Sequence, residues 1–187
     1  GTASLRRQAQ TLYARPDLGV VTLRGNVDTR LRKLEAGDAA ATFLALAGLK
    51  RLGLADRVSS LIDPDDMPPA ACQGALAITS RTDDTATRDK LRGFQDENAR
   101  IEIEAERAFL TALDGSCRTP IGALARVSGD TMSFIGEALT PDGTARWRRS
   151  GAVKLGSNPA ETARNLGFRL GNEIRDEAGD AIVMDKA

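Results

Sequence analysis

Residues 101–122 constrain the fold of this chain most strongly, because a predicted helix ends there at a loop that carries a cysteine. Small and apolar residues recur at the spacing of one buried helix face, namely Ile101, Ala105, Ala108, Phe109 and Ala112. Gly115 is the expected left-handed residue after the last turn, and Pro120 cannot continue the helix. The pattern predicts that Cys117 lies on a short loop between a helix and a strand.

The local sequence leaves two roles open for Cys117. A cysteine among small residues often only packs, and buried cysteines are usually inert. A thiol held on a defined loop is also suited to carry a chemical group. The choice depends on the rest of the chain.

The composition is that of an ordinary globular protein, and it excludes several kinds of site. Of 187 residues, 41% are hydrophobic and 28% charged, with 26 basic and 26 acidic side chains. This length suits one large or two small domains. With no histidine and only Cys72 and Cys117, the common zinc sites, histidine-based catalysis and a disulfide scaffold are excluded. We predict no metal site.

The ends of the sequence and its apolar runs indicate the cellular location of the protein and whether the chain is a fragment. No apolar run approaches the length of a membrane span, and no signal segment opens the chain. We therefore expect a cytoplasmic protein with no membrane partner. The chain begins without Met at an apparent loop-to-helix junction, so we expect a fragment whose partner is the missing N-terminal part of the same protein.

The front of the chain alternates short helical and apolar segments. Helices are predicted after Thr2 or Ser4 and after Asn26, with a helical turn at 48–54. Buried strands are predicted at 19–23 and 40–47. This order indicates an α/β layer with a parallel sheet. A connection rich in Pro and Asp then leads to a predicted strand at 75–80 and a short helix ending near Phe94.

The second half has the pattern of a small α+β domain. Strands are predicted at 121–127, 132–139 and 145–154, with turn signals between them. A closing helix starts at Pro159 and has apolar residues on one face. Three antiparallel strands packed on two helices are expected.

Arginines at two helix starts suggest an anion-binding site. Arg6 and Arg7 fall in a first helical turn, where the positive end of the helix dipole disfavours cations until an anion binds. Arg24 and Arg30 flank the next predicted helix start. Such a layout suits a ligand with several carboxylates. An ordinary solvated arginine face remains open. Nucleic acid is disfavoured by zero net charge and 4% aromatic residues.

Six motifs follow one another along the chain. They are GTASLRRQ at 1–8, LRGNVDTRL at 23–31, AGLKRLG at 47–53, QGA at 73–75, AERAFL at 105–110 and GSCRTPIG at 115–122. In this order they resemble the motifs of the porphobilinogen deaminase family, also called the hydroxymethylbilane synthase family. The resemblance covers the whole chain.

The resemblance implies a transferase of tetrapyrrole and heme biosynthesis that joins four porphobilinogen molecules into hydroxymethylbilane and releases ammonia. It implies a dipyrromethane cofactor held by a thioether to Cys117. It further implies that carboxylates of the cofactor and growing chain bind Thr2, Ser4, Arg6, Arg7, Arg24 and Arg30. Arg51 is implied as a substrate-binding residue.

The family fold implied by the resemblance also divides the chain. Residues 1–68 resemble part of a second α/β domain like those of periplasmic binding proteins, and 69–94 a crossover and segment returning to a first domain. Residues 95–187 resemble the C-terminal α+β domain that carries the cofactor cysteine. The family's catalytic aspartate has no counterpart in these residues. The alternative is therefore a non-catalytic carboxylate-binding α/β module.

Two segments depart from the family pattern. Cys72 stands before the QGA motif, where family members commonly have glycine, and Arg118-Thr119 replaces a more usual Gln-Val. We expect altered local geometry at Cys72 and altered charge beside the cofactor loop.

Overall fold

The structure, a computed structural model, describes residues 1–114 and 119–182. Within these ranges there are six α-helices and one three-stranded sheet. The helices are α1 Leu5–Ala14, α2 Val27–Glu35, α3 Leu46–Arg51, α4 Thr85–Leu91, α5 Glu97–Ala112 and α6 Pro159–Ala178. The strands are β1 Ile121–Ser128, β2 Thr131–Leu139 and β3 Arg146–Lys154. Among the helices so described, none is long and apolar enough to cross a membrane.

Short polar side chains cap four of these helices, because they satisfy backbone N–H groups that a first helical turn leaves without partners. Ser4 caps α1 and Asn26 caps α2, as predicted. Asp84 and Asp96 cap α4 and α5 in the same way. The helix starts predicted after Ser4, after Asn26 and at Pro159 are confirmed.

The sheet is antiparallel in the order β1-β2-β3, which confirms the three strands predicted for the second half. Helices α5 and α6 pack on one face of it. Phe109 of α5 meets Phe134 of β2 with ring centroids 5.3 Å apart. Gly136 makes room for this ring, since a Cβ there would lie 2.4 Å from Phe109 Cζ. The main hydrophobic core lies between this sheet face and the two helices.

The outer edge of β1 is covered by hydrogen-bond acceptors instead of a fourth strand. Ala123 N–H donates to the Pro69 carbonyl at 2.9 Å. Ala125 N–H donates to Glu106 Oε1 and Val127 N–H to Glu102 Oε1, each at 2.8 Å. Edge N–H groups otherwise invite pairing with another chain, so these acceptors protect the sheet.

The strands predicted at 19–23, 40–47 and 75–80 do not form in the part of the chain that the structure describes. Residues 46 and 47 belong to α3 instead. Single backbone bonds from residues 1 and 2 reach the carbonyls of Ala41 and Val21 at 2.8 and 2.9 Å. A strand needs a ladder of such bonds, and these segments lack one among the described residues. The predicted parallel sheet is therefore not confirmed.

Close packing of α6 on α5 yields a stability prediction. A Cβ at Gly167 would lie 2.0 Å from the Ala105 carbonyl oxygen, whereas a Cβ at Gly48 in α3 meets nothing within 4 Å. We expect Gly167→Ala to lower the free energy of unfolding by about 1–3 kcal/mol, because the two helices must move apart. Gly48→Ala should be neutral or stabilising, since alanine favours a helix. Urea denaturation measures both; equal effects would contradict the close crossing.

Candidate carboxylate-binding site

The first turn of α1 is organised by two hydroxyl groups from the predicted site. Ser4 Oγ accepts the N–H of Arg7 at 3.4 Å, and Thr2 Oγ1 accepts the N–H of Ser4 at 3.2 Å. No acidic residue occupies this turn. The positive end of the helix therefore lies beside two arginines with no carboxylate from the turn itself to offset them.

Arg6 is buried, with 8% of its surface exposed. Its Nη1 donates to Gln10 Oε1 and to the Pro68 carbonyl, both at 2.7 Å. Its Nε is buried and has no partner among the described residues. Burial, and to a smaller extent the charge of Arg7, lower the pKa of Arg6 to about 10, while the charge of Glu137 opposes the change. Arg6 remains cationic at neutral pH, with a buried donor available for a ligand.

Arg7 and Arg30 lie near one another. Arg7 is half-buried, and its Nη1 donates to the Phe43 carbonyl at 3.0 Å. Burial lowers the pKa of Arg7, and the charge of Arg30 lowers it further. Arg30 Nε donates to the Gly25 carbonyl at 2.8 Å. Two neighbouring cations, each donating to its own backbone carbonyl, form a site that an anion would stabilise.

Arg24 and Arg51 are exposed. Arg24 precedes α2, and Arg51 ends α3. Within residues 1–114 and 119–182, no hydrogen bond or ion pair joins either guanidinium to the other predicted site residues. The structure thus groups Thr2, Ser4, Arg6 and Arg7 at the start of α1, with Arg30 nearby. The roles predicted for Arg24 and Arg51 stay predictions.

Cys117 and the predicted cap Gly115 lie outside the described residues. On either side of this gap, Leu113 is fully buried after α5 and Pro120 is buried before β1. Asp114, the last described residue before this gap, has a left-handed backbone with φ 49°. The predicted helix and strand on either side of the loop are confirmed.

A buried carboxylate on α5 holds the segment around Cys72. Glu106 Oε2 accepts the Cys72 N–H at 2.5 Å, while Oε1 accepts the Ala125 N–H of β1. Burial raises the pKa of Glu106. Cys72 has φ 60°, a conformation that favours glycine. The altered geometry expected at this position stays a prediction. Burial also raises the pKa of the Cys72 thiol, so this thiol is a poor nucleophile.

Sequence reasoning missed two side chains that contact Arg6 directly or through one partner. Gln10 lies four residues after Arg6 on α1, so the spacing of a helix face could have identified it. Glu137 accepts a hydrogen bond from Gln10 Nε2 at 2.7 Å. It lies 127 residues from Gln10 in the chain, and the only local signal for it is that it is the one charged residue of β2.

Two family models match this chain. Residues 1–89 match the model described as porphobilinogen deaminase, dipyromethane cofactor binding domain. Residues 100–176 match the porphobilinogen deaminase C-terminal domain. The buried, cationic end of α1 falls within the first match. The sheet and most of α5 and α6 fall within the second.

Curated relatives named porphobilinogen deaminase are similar over nearly the whole chain. The protein of Caulobacter vibrioides is 52% identical over 185 residues, which cover 98% of this chain and 57% of the relative. That of Phenylobacterium zucineum is 52% identical, covering 98% and 58%. That of Nitrobacter hamburgensis is 50% identical, covering 96% and 55%. The chain spans a little over half the length of these relatives.

The contacts of Glu106 yield a second stability prediction. Glu106→Gln leaves one of two backbone N–H groups facing an amide donor, so we expect a loss of about 1–3 kcal/mol in the free energy of unfolding. Glu104→Gln on the same helix breaks only a surface pair with Arg164, and about 0–1 kcal/mol is expected. Thermal and urea unfolding measure both. A loss at Glu106 no larger than that at Glu104 would contradict the assigned role.

Proposed function

Since this chain belongs to the porphobilinogen deaminase family, we propose that it forms the cofactor-bearing part of an enzyme of tetrapyrrole biosynthesis. That enzyme would join four porphobilinogen molecules into hydroxymethylbilane and release ammonia in the cytoplasm. The observation that carries the proposal is Arg6, a buried cation whose Nε has no partner among the described residues. It lies in the region matched by the cofactor-binding domain.

The described residues fit a dipyrromethane cofactor with several carboxylates. When bound, the cofactor would supply the pyrrole carbon to which substrate units are added. Arg6 offers a buried donor, and Arg7 with Arg30 offers a second cationic pair. The hydroxyls of Thr2 and Ser4 hold the turn that carries Arg6 and Arg7. These groups would orient the carboxylates of the cofactor. We propose that Arg24 also binds the cofactor and that Arg51 binds the substrate.

Cys117 is the proposed attachment point. It precedes Gly122 by five residues, and Gly122 lies against the Pro68 carbonyl that Arg6 binds, since a Cβ there would be 2.9 Å from that oxygen. This proximity of β1 to the Arg6 site supports pairing the thiol with the arginines. In this role Cys117 is a tether and does not turn over with each substrate.

We also propose the domain division at 1–68, 69–94 and 95–187, with a periplasmic-binding-protein-like layer in the front part. Support comes from apolar side chains in segments that lack a sheet partner among the described residues. Leu76 and Ile78 are 93% and 62% exposed on a segment that alternates as a strand does. Such side chains are typical of a strand that pairs with the rest of the family fold.

Intact mass tests the attachment site. We expect the chain, supplied with preformed cofactor or made beside a complete relative, to carry a dipyrrole adduct. Cys117→Ser should abolish the adduct because the thioether cannot form. Cys72→Ser is the matched control and should keep it. An adduct on Cys117→Ser, or none on the unaltered chain, would refute the assignment.

Turnover separates the enzyme from the carboxylate-binding module. We propose that the family's catalytic aspartate lies outside these residues, so we expect the chain alone to release no ammonia from porphobilinogen. Adding the portion of the Caulobacter vibrioides relative that this chain does not match should restore release. A complex that assembles and binds porphobilinogen without turnover would favour the module instead. Release of ammonia by the chain alone would show that the missing acid is misassigned.

A further inference from the structure

The side-chain amide of Gln10 is held in one orientation by three partners. Its Nε2 donates to Glu137 Oε1 at 2.7 Å and to the Pro68 carbonyl at 2.9 Å. Its Oε1 accepts from Arg6 Nη1 at 2.7 Å. A flipped amide would place its oxygen against two acceptors and its NH2 group against a guanidinium. Glu137 is therefore one of the three partners that fix the orientation of Gln10, and it contributes as an acceptor.

Glu137 is itself fixed by the sheet. It is 1% exposed and lies on the face opposite the helices, paired in register with Gly122 of β1 and Arg148 of β3. Arg148 Nη1 donates to Glu137 Oε2 at 3.4 Å, and Arg146 Nη1 lies 3.9 Å from the same oxygen. A buried carboxylate is costly without such donors. The strands thus aim one oxygen of Glu137 at Gln10.

As a consequence, Arg6 makes its hydrogen bonds to the described residues from one end of its guanidinium group. Both come from Nη1, while Nε is buried without a partner there. A guanidinium can bind a carboxylate through two parallel N–H groups, and the edge that includes Nε is such a fork. Gln10 and Pro68 together turn this edge away from themselves.

We infer that Glu137, acting through Gln10, is a positioning residue that holds Arg6 with its Nε edge presented to a ligand carboxylate. The inference rests on the proposed function, in which Arg6 binds a carboxylate of a dipyrromethane. It adds a residue of the C-terminal domain to a site otherwise built from the front of the chain.

A purely electrostatic role for Glu137 predicts the opposite sign. A buried negative charge near the site repels an anionic ligand, so removing it would tighten binding. A positioning role predicts weaker binding. In Glu137→Gln, the side-chain oxygen should face Arg148 and Arg146, so the new NH2 group faces Gln10. This favours a flipped Gln10 amide, whose own NH2 group would then face the guanidinium of Arg6.

The test measures reversible binding of a synthetic dipyrromethane bearing acetate and propionate groups. The chain carries Cys117→Ser so that no covalent bond forms, and calorimetric titration gives the Kd. Glu137→Gln and Gln10→Ala should each raise the Kd about threefold to tenfold, as expected for loss of one hydrogen-bonded contact. The double variant should be no weaker than Gln10→Ala, because both residues act through one contact.

Glu106→Gln is the matched control for a structural effect. It changes another buried carboxylate by the same substitution, in a network that does not reach Arg6. It should lower the unfolding temperature and leave the Kd unchanged. In the ligand-free chain, the NMR signal of Arg6 Nε–H, assigned by its loss in Arg6→Gln, should shift or broaden in Glu137→Gln and stay in place in Glu106→Gln.

The outcomes separate the two proposals. An unchanged or lower Kd and an unmoved Arg6 Nε–H signal in Glu137→Gln would overturn the positioning role. An unchanged Kd in Arg6→Gln would instead overturn the carboxylate-binding function, whatever Glu137 does. If the chain binds no dipyrromethane, the proposed function fails, and the NMR comparison still decides whether Glu137 orders Arg6.

Discussion

The Pro68 carbonyl is the acceptor on which the arrangement of this chain depends. Arg6 and Gln10 of α1 both donate to it, at 2.7 and 2.9 Å. The next carbonyl, that of Pro69, accepts from Ala123 on the edge of β1. These two consecutive carbonyls belong to Pro68 and Pro69, whose backbones are restricted by their rings. Together they join the arginine-bearing helix to the sheet.

The two faces of the sheet contact different parts of the chain. One face packs on α5 and α6 through Phe109, Phe134 and their neighbours, which gives the domain a continuous core. The other face carries Glu137 and Gly122 toward α1 and Pro68. Because successive residues of a strand point to opposite faces, one stretch of β2 supplies both the core and a contact to the arginine site.

Sequence signals within a few residues correctly predicted the helices and turns, because the hydrogen bonds of these elements form between residues close in the chain. Helices depend on capping groups and apolar spacing within a few residues, and Ser4, Asn26 and Pro159 act where their types predict. The β2–β3 connection also carried its own turn chemistry in Pro141 to Gly143. Strand predictions at 19–23, 40–47 and 75–80 failed because their apolar pattern says nothing about whether a partner strand is present.

The candidate site divides in the same way. The sequence by itself determined that arginines would gather at the start of α1 and near α2, since helix caps and spacing place them there. Only the tertiary structure decided which of them is buried, which donor of Arg6 lacks a partner among the described residues, and that Glu137 contacts Gln10. Residues 127 positions apart meet through the packing of a sheet on a helix, and such a contact has no local signature.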